Sequence, residues 1–164
     1  EILGFQDEII IFKKFDEEFS DDIRRKMNGI PLEVCSRNPG GHNRAGVNFD
    51  APCLEEASRG LEAQPGKEKF LIVISDGQPT GPYIPGLEPN ENLKLAVKKI
   101  LQTTDQKLIG VGLGQDTEHV KDYYPTSFPN ISAKELQKLI AGLLKDMILS
   151  PEKYSFKPEH GLAK

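Results

Sequence analysis

Asp76 is the first residue to ask chemistry of, because Ser75-Asp76-Gly77 closes the uninterrupted apolar run Leu71-Ile72-Val73-Ile74. A mostly β-branched run bounded by Lys69 and a turn reads as a strand buried on both faces of a parallel sheet, so Phe70–Ile74 is predicted as a central strand. Ligands of open α/β sheets bind in the crevice beyond the carboxyl ends of the strands. A carboxylate there is a site candidate, and an Asp-Gly pair is equally the start of a plain turn. The local sequence leaves both readings open. Other reactive groups are scattered. His42 and His119 lie far from Asp76 in the chain, and a lone histidine in a polar loop is more often solvated than catalytic. Cys35, His42 and Cys53 match no common zinc-ligand spacing. Two cysteines outside any Cys-x-x-Cys arrangement suggest thiols in a reducing, cytoplasmic setting.

The elements that must position Asp76 follow from periodicity. Ile2, Leu3 and Phe5, then Ile9 to Phe12, predict two antiparallel strands joined at Gln6-Asp7-Glu8. Phe19, Ile23 and Met27 have helical spacing within a charged stretch whose charges should be solvated. Residues 35–46 form a Ser/Arg/Asn/Pro/Gly/His cluster expected as a long surface loop. Asp50 is placed to be the N-cap of a helix with Pro52 in its first turn and Leu54, Ala57 and Leu61 on one face. Gln64-Pro65-Gly66 should end it.

Beyond Asp76 the Pro- and Gly-rich stretch 78–90 predicts a stiff loop, which is where binding residues concentrate. Leu93, Ala96, Val97, Ile100 and Leu101 then form the buried stripe of a helix. Gly110, Gly112 and Gly114 interrupt a strand and do not open a helix after one, which argues against a dinucleotide loop and for close backbone packing. Glu118–Tyr124 suits a helical turn or two, and Ser127–Ile131 a short edge strand. Ser132 and Glu135 make a capping box for a helix buried through Leu136, Leu139, Ile140, Leu143, Leu144 and Met147. Residues 150–164 are expected to pack poorly.

Strands alternating with helices predict an α/β fold: a mostly parallel central sheet with one antiparallel edge strand and helices on both faces. A chain of 164 residues fits one domain. Its net charge of -4 argues against a broad nucleic-acid interface. No apolar run reaches the roughly 18 residues of a membrane span, and the opening residues lack the pattern of a signal peptide.

In order and spacing, Glu1-Ile2-Leu3-Gly4-Phe5, Val47-Asn48-Phe49-Asp50, Val73-Ile74-Ser75-Asp76-Gly77-Gln78-Pro79, Pro89-Asn90 and Ile109–Gly114 with Asp116, Val120 and Tyr123-Tyr124 resemble a von Willebrand factor A domain. The likeness is greatest to the version in the T subunit of aerobic cobalt chelatase and its bacterial and phage relatives. It covers most of residues 1–148, so residues 1–149 are expected to form this three-layer, Rossmann-like domain and 150–164 a tail.

The resemblance implies a metal-ion-dependent adhesion site at the carboxyl edge of the sheet, holding Mg²⁺ (or Mn²⁺ or Ca²⁺). By position Asp76 matches the Asp that closes the later strand of that motif. Asn48 falls where a Thr is usual, and Asp50 completes an Asn-x-Asp like that of the chelatase-type relatives. Mg²⁺ suits such a set, since it prefers hard oxygen ligands, keeps several waters and often binds through one or two carboxylates. The family's first ligand motif, Asp-x-Ser-x-Ser, does not occur in these 164 residues. It normally ends a strand lying between Ile2–Phe5 and Phe70–Ile74. A preceding segment carrying that strand and its helix is therefore expected, without which two apolar edges would face a cavity.

What the resemblance implies for function is a non-catalytic adaptor whose bound ion accepts a carboxylate from a protein partner, a AAA+ ATPase in the chelatase-type relatives, with no nucleic acid or membrane involved. Two other readings stand beside it. One is a metal-dependent hydrolase or phosphoryl-transfer enzyme using Asp76; the other is a scaffold of this fold with a defunct metal site.

Overall fold

In a computed structural model of the chain, residues 1–6, 9–29, 48–81 and 84–155 are described. Leu108 and Ile109 are adjacent on β4 (Lys107–Leu113) and point to opposite faces, as successive strand residues must. Each is sealed, at 1% and 0% exposure. Strand β4 is thus buried on both sides, and the rest of the domain is layered about it.

Beside β4 lie β3 (Phe70–Ser75) and β5 (Thr126–Ile131), both parallel to it, in the order β3-β4-β5. On one face Leu108 packs with Leu54, Leu93, Val97, Ile100, Val120, Tyr123 and Tyr124, against which Leu71 and Val73 also lie. The helical residues among these belong to α2 (Asp50–Glu62), α3 (Pro89–Thr103) and a 3-10 segment at Glu118–Asp122, which Tyr123 and Tyr124 directly follow. On the other face Ile109 and Val111 pack with Leu143 of α4 (Ala133–Leu149) and with Tyr154, joined by Phe70, Ile72, Phe128 and Leu139. The fold is α/β with helices on both faces of a parallel sheet.

Local sequence signals explain several element ends. Ser132 accepts from the Glu135 N–H while the Glu135 carboxylate takes the Ser132 N–H, the expected capping box. Pro89 starts α3, where its missing N–H is harmless. A Cβ on Gly110 would lie 2.2 Å from Tyr124, and one on Gly112 would lie 2.3 Å from the Thr117 hydroxyl. The strand glycines therefore serve close packing, as the sequence indicates.

Five expectations are corrected here. The strands β1 (Ile2–Phe5) and β2 (Ile9–Lys13) form an antiparallel sheet of their own, so the antiparallel pair is not an edge of the parallel sheet. Strand β3 is an edge of its sheet, not its centre. Leu71, Ile72 and Val73 are only half-buried and Ile74 is 39% exposed, because β4 covers one side and nothing described pairs with the other. Phe19 precedes α1 (Asp21–Asn28) and is exposed, leaving Ile23 as that helix's buried anchor. Leu144 is 52% exposed, and Tyr154, counted with the tail, is buried against the sheet. Residues 35–46, with Cys35 and His42, lie outside the described residues, as do 156–164. No helix among the described residues is long and apolar enough to cross a membrane.

Candidate functional site

Two loops converge at the carboxyl end of β3. In the first, the Ser75 hydroxyl donates to the Gly77 carbonyl at 3.0 Å and bridges the turn. Asp76, between them, is exposed and has no hydrogen bond or ion pair among the described residues. Further along, the Thr80 and Gly81 N–H groups both donate to the Asn48 carbonyl, at 3.1 and 3.2 Å, and the Asn48 N–H donates to the Thr80 hydroxyl at 2.7 Å. This three-bond clasp holds the approach to α2 against the loop that leaves β3. Gly81 makes it possible, since a Cβ there would lie 1.5 Å from the Phe49 ring. The Asn48 side-chain amide is 3.8 Å from where a Gly77 Cβ would stand, so Asn48 reaches the Asp76 turn.

Asp50 departs from its sequence reading. It is the first helical residue of α2, the N-cap is Phe49, and no side-chain cap bond forms. Asp50 is 5% exposed, and its Oδ2 has no partner among the described residues. Burial disfavours the ionised form and pushes its pKa from an ordinary 3.8 up to about 6. The helix start contributes favourable N–H groups, but desolvation outweighs them. The same carboxyl lies beneath Tyr124, whose hydroxyl is held well above its ordinary pKa by burial first and by Asp50 second.

Asp50 opens onto a slot of about 370 Å³ between the two sheets. Ile2, Leu3 and Phe5 of β1 line one side, Phe70–Ile74 of β3 the other, and Cys53, Leu54, Ala57 and Leu61 of α2 the floor. Lys107 N–H bonds to Lys69 O, so alternation along the parallel ladder turns the N–H and C=O of Phe70, Ile72 and Ile74 away from β4 and toward this slot. A strand edge that pairs with none of the described residues faces an apolar gap.

Of the three residues proposed for a metal, Asn48 and Asp76 are brought to one turn, whereas the Asp50 carboxyl lies in the slot floor. At the turn Asn48 and Asp76 offer one amide oxygen and one carboxylate, donors of the right hardness for Mg²⁺, and the orphaned Asp50 Oδ2 in the slot floor is an acceptor that a donor would satisfy. Among the described residues no three His, Cys, Asp or Glu side chains cluster as a metal site.

One neighbour was not legible in the sequence. His119, 42 residues along the chain, places Nε2 at 3.0 Å from the Gly77 carbonyl. Its only sequence signal is a position just past a buried strand, on the same sheet edge as Asp76. No family model, no curated protein and no solved structure matches this chain.

Proposed function

We propose that the chain is a non-catalytic, cytoplasmic interaction module of von Willebrand factor A type, whose Mg²⁺-dependent site at the end of β3 accepts a carboxylate from a protein partner. On the resemblance, that partner is a AAA+ ATPase of a chelatase-type complex. The observation that carries the reading is the Asn48–Thr80–Gly81 clasp. It brings the Asn-x-Asp element to the loop whose Asp76 carboxylate is exposed and uncommitted. Asp76 and Asn48 would hold the ion from these loops, with Asp50 beneath. The ion itself would supply open coordination positions for the incoming carboxylate.

The slot supports the same reading. It lies between β1 and β3, where the family's Asp-x-Ser-x-Ser strand belongs, and its β3 edge, unpaired among the described residues, and its apolar floor suit one extended segment from outside residues 1–164. Such a strand would deliver the remaining oxygen ligands to the edge where Asp76 stands.

The hydrolase reading gains nothing from His119. One ring nitrogen is engaged by Gly77 and the other is buried, so neither is offered to a substrate. Calorimetric titration of the natural full-length polypeptide with Mn²⁺, beside Asp76→Ala, tests the proposal. Binding lost in the variant is expected. No binding at millimolar ion would leave only a scaffold role, and Mg²⁺-dependent phosphatase turnover lost in the variant would favour the enzyme.

A further inference from the structure

We infer that His119 is a positioning residue for the Asp76 loop, the end of a strut built by the β4–β5 connection and braced across the sheet edge. The strut is anchored first on β5. Asn130 adopts φ 57°, and its N–H donates to the Thr117 hydroxyl at 2.7 Å while its side-chain oxygen accepts the Thr117 N–H at 3.0 Å. Its side-chain NH₂ donates to Glu118 at 2.7 Å, and Glu118 in turn pairs with Lys121. Thr117 is 1% exposed and sits over Gly112 of β4, where a side chain would collide with it.

Asp116, in the turn that leaves β4, also has a positive φ, of 61°. Backbone in this region is unfavourable for most side chains and persists where its surroundings hold it. The Thr117–Asn130 bonds hold this turn, and His119, two residues beyond Thr117, reaches the loop that leaves β3.

The chemistry of that contact fixes its direction. A carbonyl oxygen only accepts, so Nε2 carries the hydrogen that is donated to Gly77 O. Nδ1 is buried and has no partner among the described residues. Gly77 O also accepts the Ser75 hydroxyl, so both bonds meet on the residue directly after Asp76. The strut thus holds the turn that presents the carboxylate. Its relevance to an ion rests on the proposed metal-site reading; its hold on the loop does not.

Two variants of the natural polypeptide separate hydrogen bonding from packing. His119→Phe keeps a ring beside Tyr123, whose centroid is 6.1 Å away, and removes the donor; His119→Gln keeps a donor and removes the ring. Amide hydrogen exchange of residues 75–80 is measured with and without Mn²⁺. The expected result is exchange about tenfold faster in His119→Phe and within about threefold of the parent in His119→Gln, since local opening follows the bonds that close the loop. Mn²⁺ affinity should fall in the same order. Unchanged exchange in His119→Phe, or loss in His119→Gln alone, overturns the inference. A parent that binds no Mn²⁺ refutes the metal reading, while the metal-free exchange data still decide the role of His119.

Discussion

Replacing Asp50 by Asn should stabilise this domain at neutral and alkaline pH and leave it unchanged in acid. The carboxyl ionises near 3.8 in the unfolded chain and at about 6 when folded, because burial opposes its charge. The folded state therefore holds the proton more tightly. Between about pH 4 and 6 folding stability falls as pH rises, and above the folded pKa the full penalty remains. At about 1.4 kcal/mol per pH unit the two values set a ceiling of about 3 kcal/mol. Because the carboxyl borders the slot and is not sealed on every side, the expected gain for Asp50→Asn at pH 8 is lower, about 2 kcal/mol.

In a chain of this size that is a rise in Tm of roughly 4–8 °C. Thermal and urea unfolding of parent and variant, from pH 3.5 to 8 in EDTA, should show curves that meet near pH 4 and diverge to their full separation by pH 7. Millimolar Mn²⁺ should then narrow the gap by stabilising the parent alone, as binding to the folded state must. A variant less stable than the parent at pH 8 in EDTA, or a difference that does not change with pH, would refute the argument that Asp50 is buried without a compensating partner.

Three further outcomes are expected. Gly81→Ala would drive a methyl into the Phe49 ring, so it should destabilise by about 1–3 kcal/mol and expose the Asn48 and Thr80 amides to faster hydrogen exchange. Gly110→Ala meets Tyr124 in the core and should destabilise by a similar 1–3 kcal/mol, read as a lower urea midpoint, without loosening the Asn48 clasp. Ser132→Ala removes the cap of α4 and should cost about 1 kcal/mol in urea unfolding, with Mn²⁺ titration unaffected.

Periodicity and turn chemistry were enough for most elements. The capping box at Ser132 and Glu135, the stripe from Leu93 to Ile100, the two opening strands and the packing role of Gly110 and Gly112 are local patterns, and local interactions realise them. Asp76 was legible for the same reason: an apolar run followed by Ser-Asp-Gly places a carboxylate at a strand end whatever surrounds it.

The tertiary structure decided what each of those groups meets. Asp50 has the sequence of a cap, yet the helix begins one residue earlier than that role requires and its carboxyl is enclosed by α2, β3 and Tyr124. Strand β3 has the composition of a central strand, and its exposure is set by the absence, among the described residues, of a neighbour between it and β1. His119 approaches Gly77 only because β4 and β5 fix the turn that carries it. Propensity is written in residues a few positions apart, whereas desolvation and hydrogen-bond partnership depend on segments 40 or more residues apart, as in the pairing of His119 with Gly77, brought together only by packing.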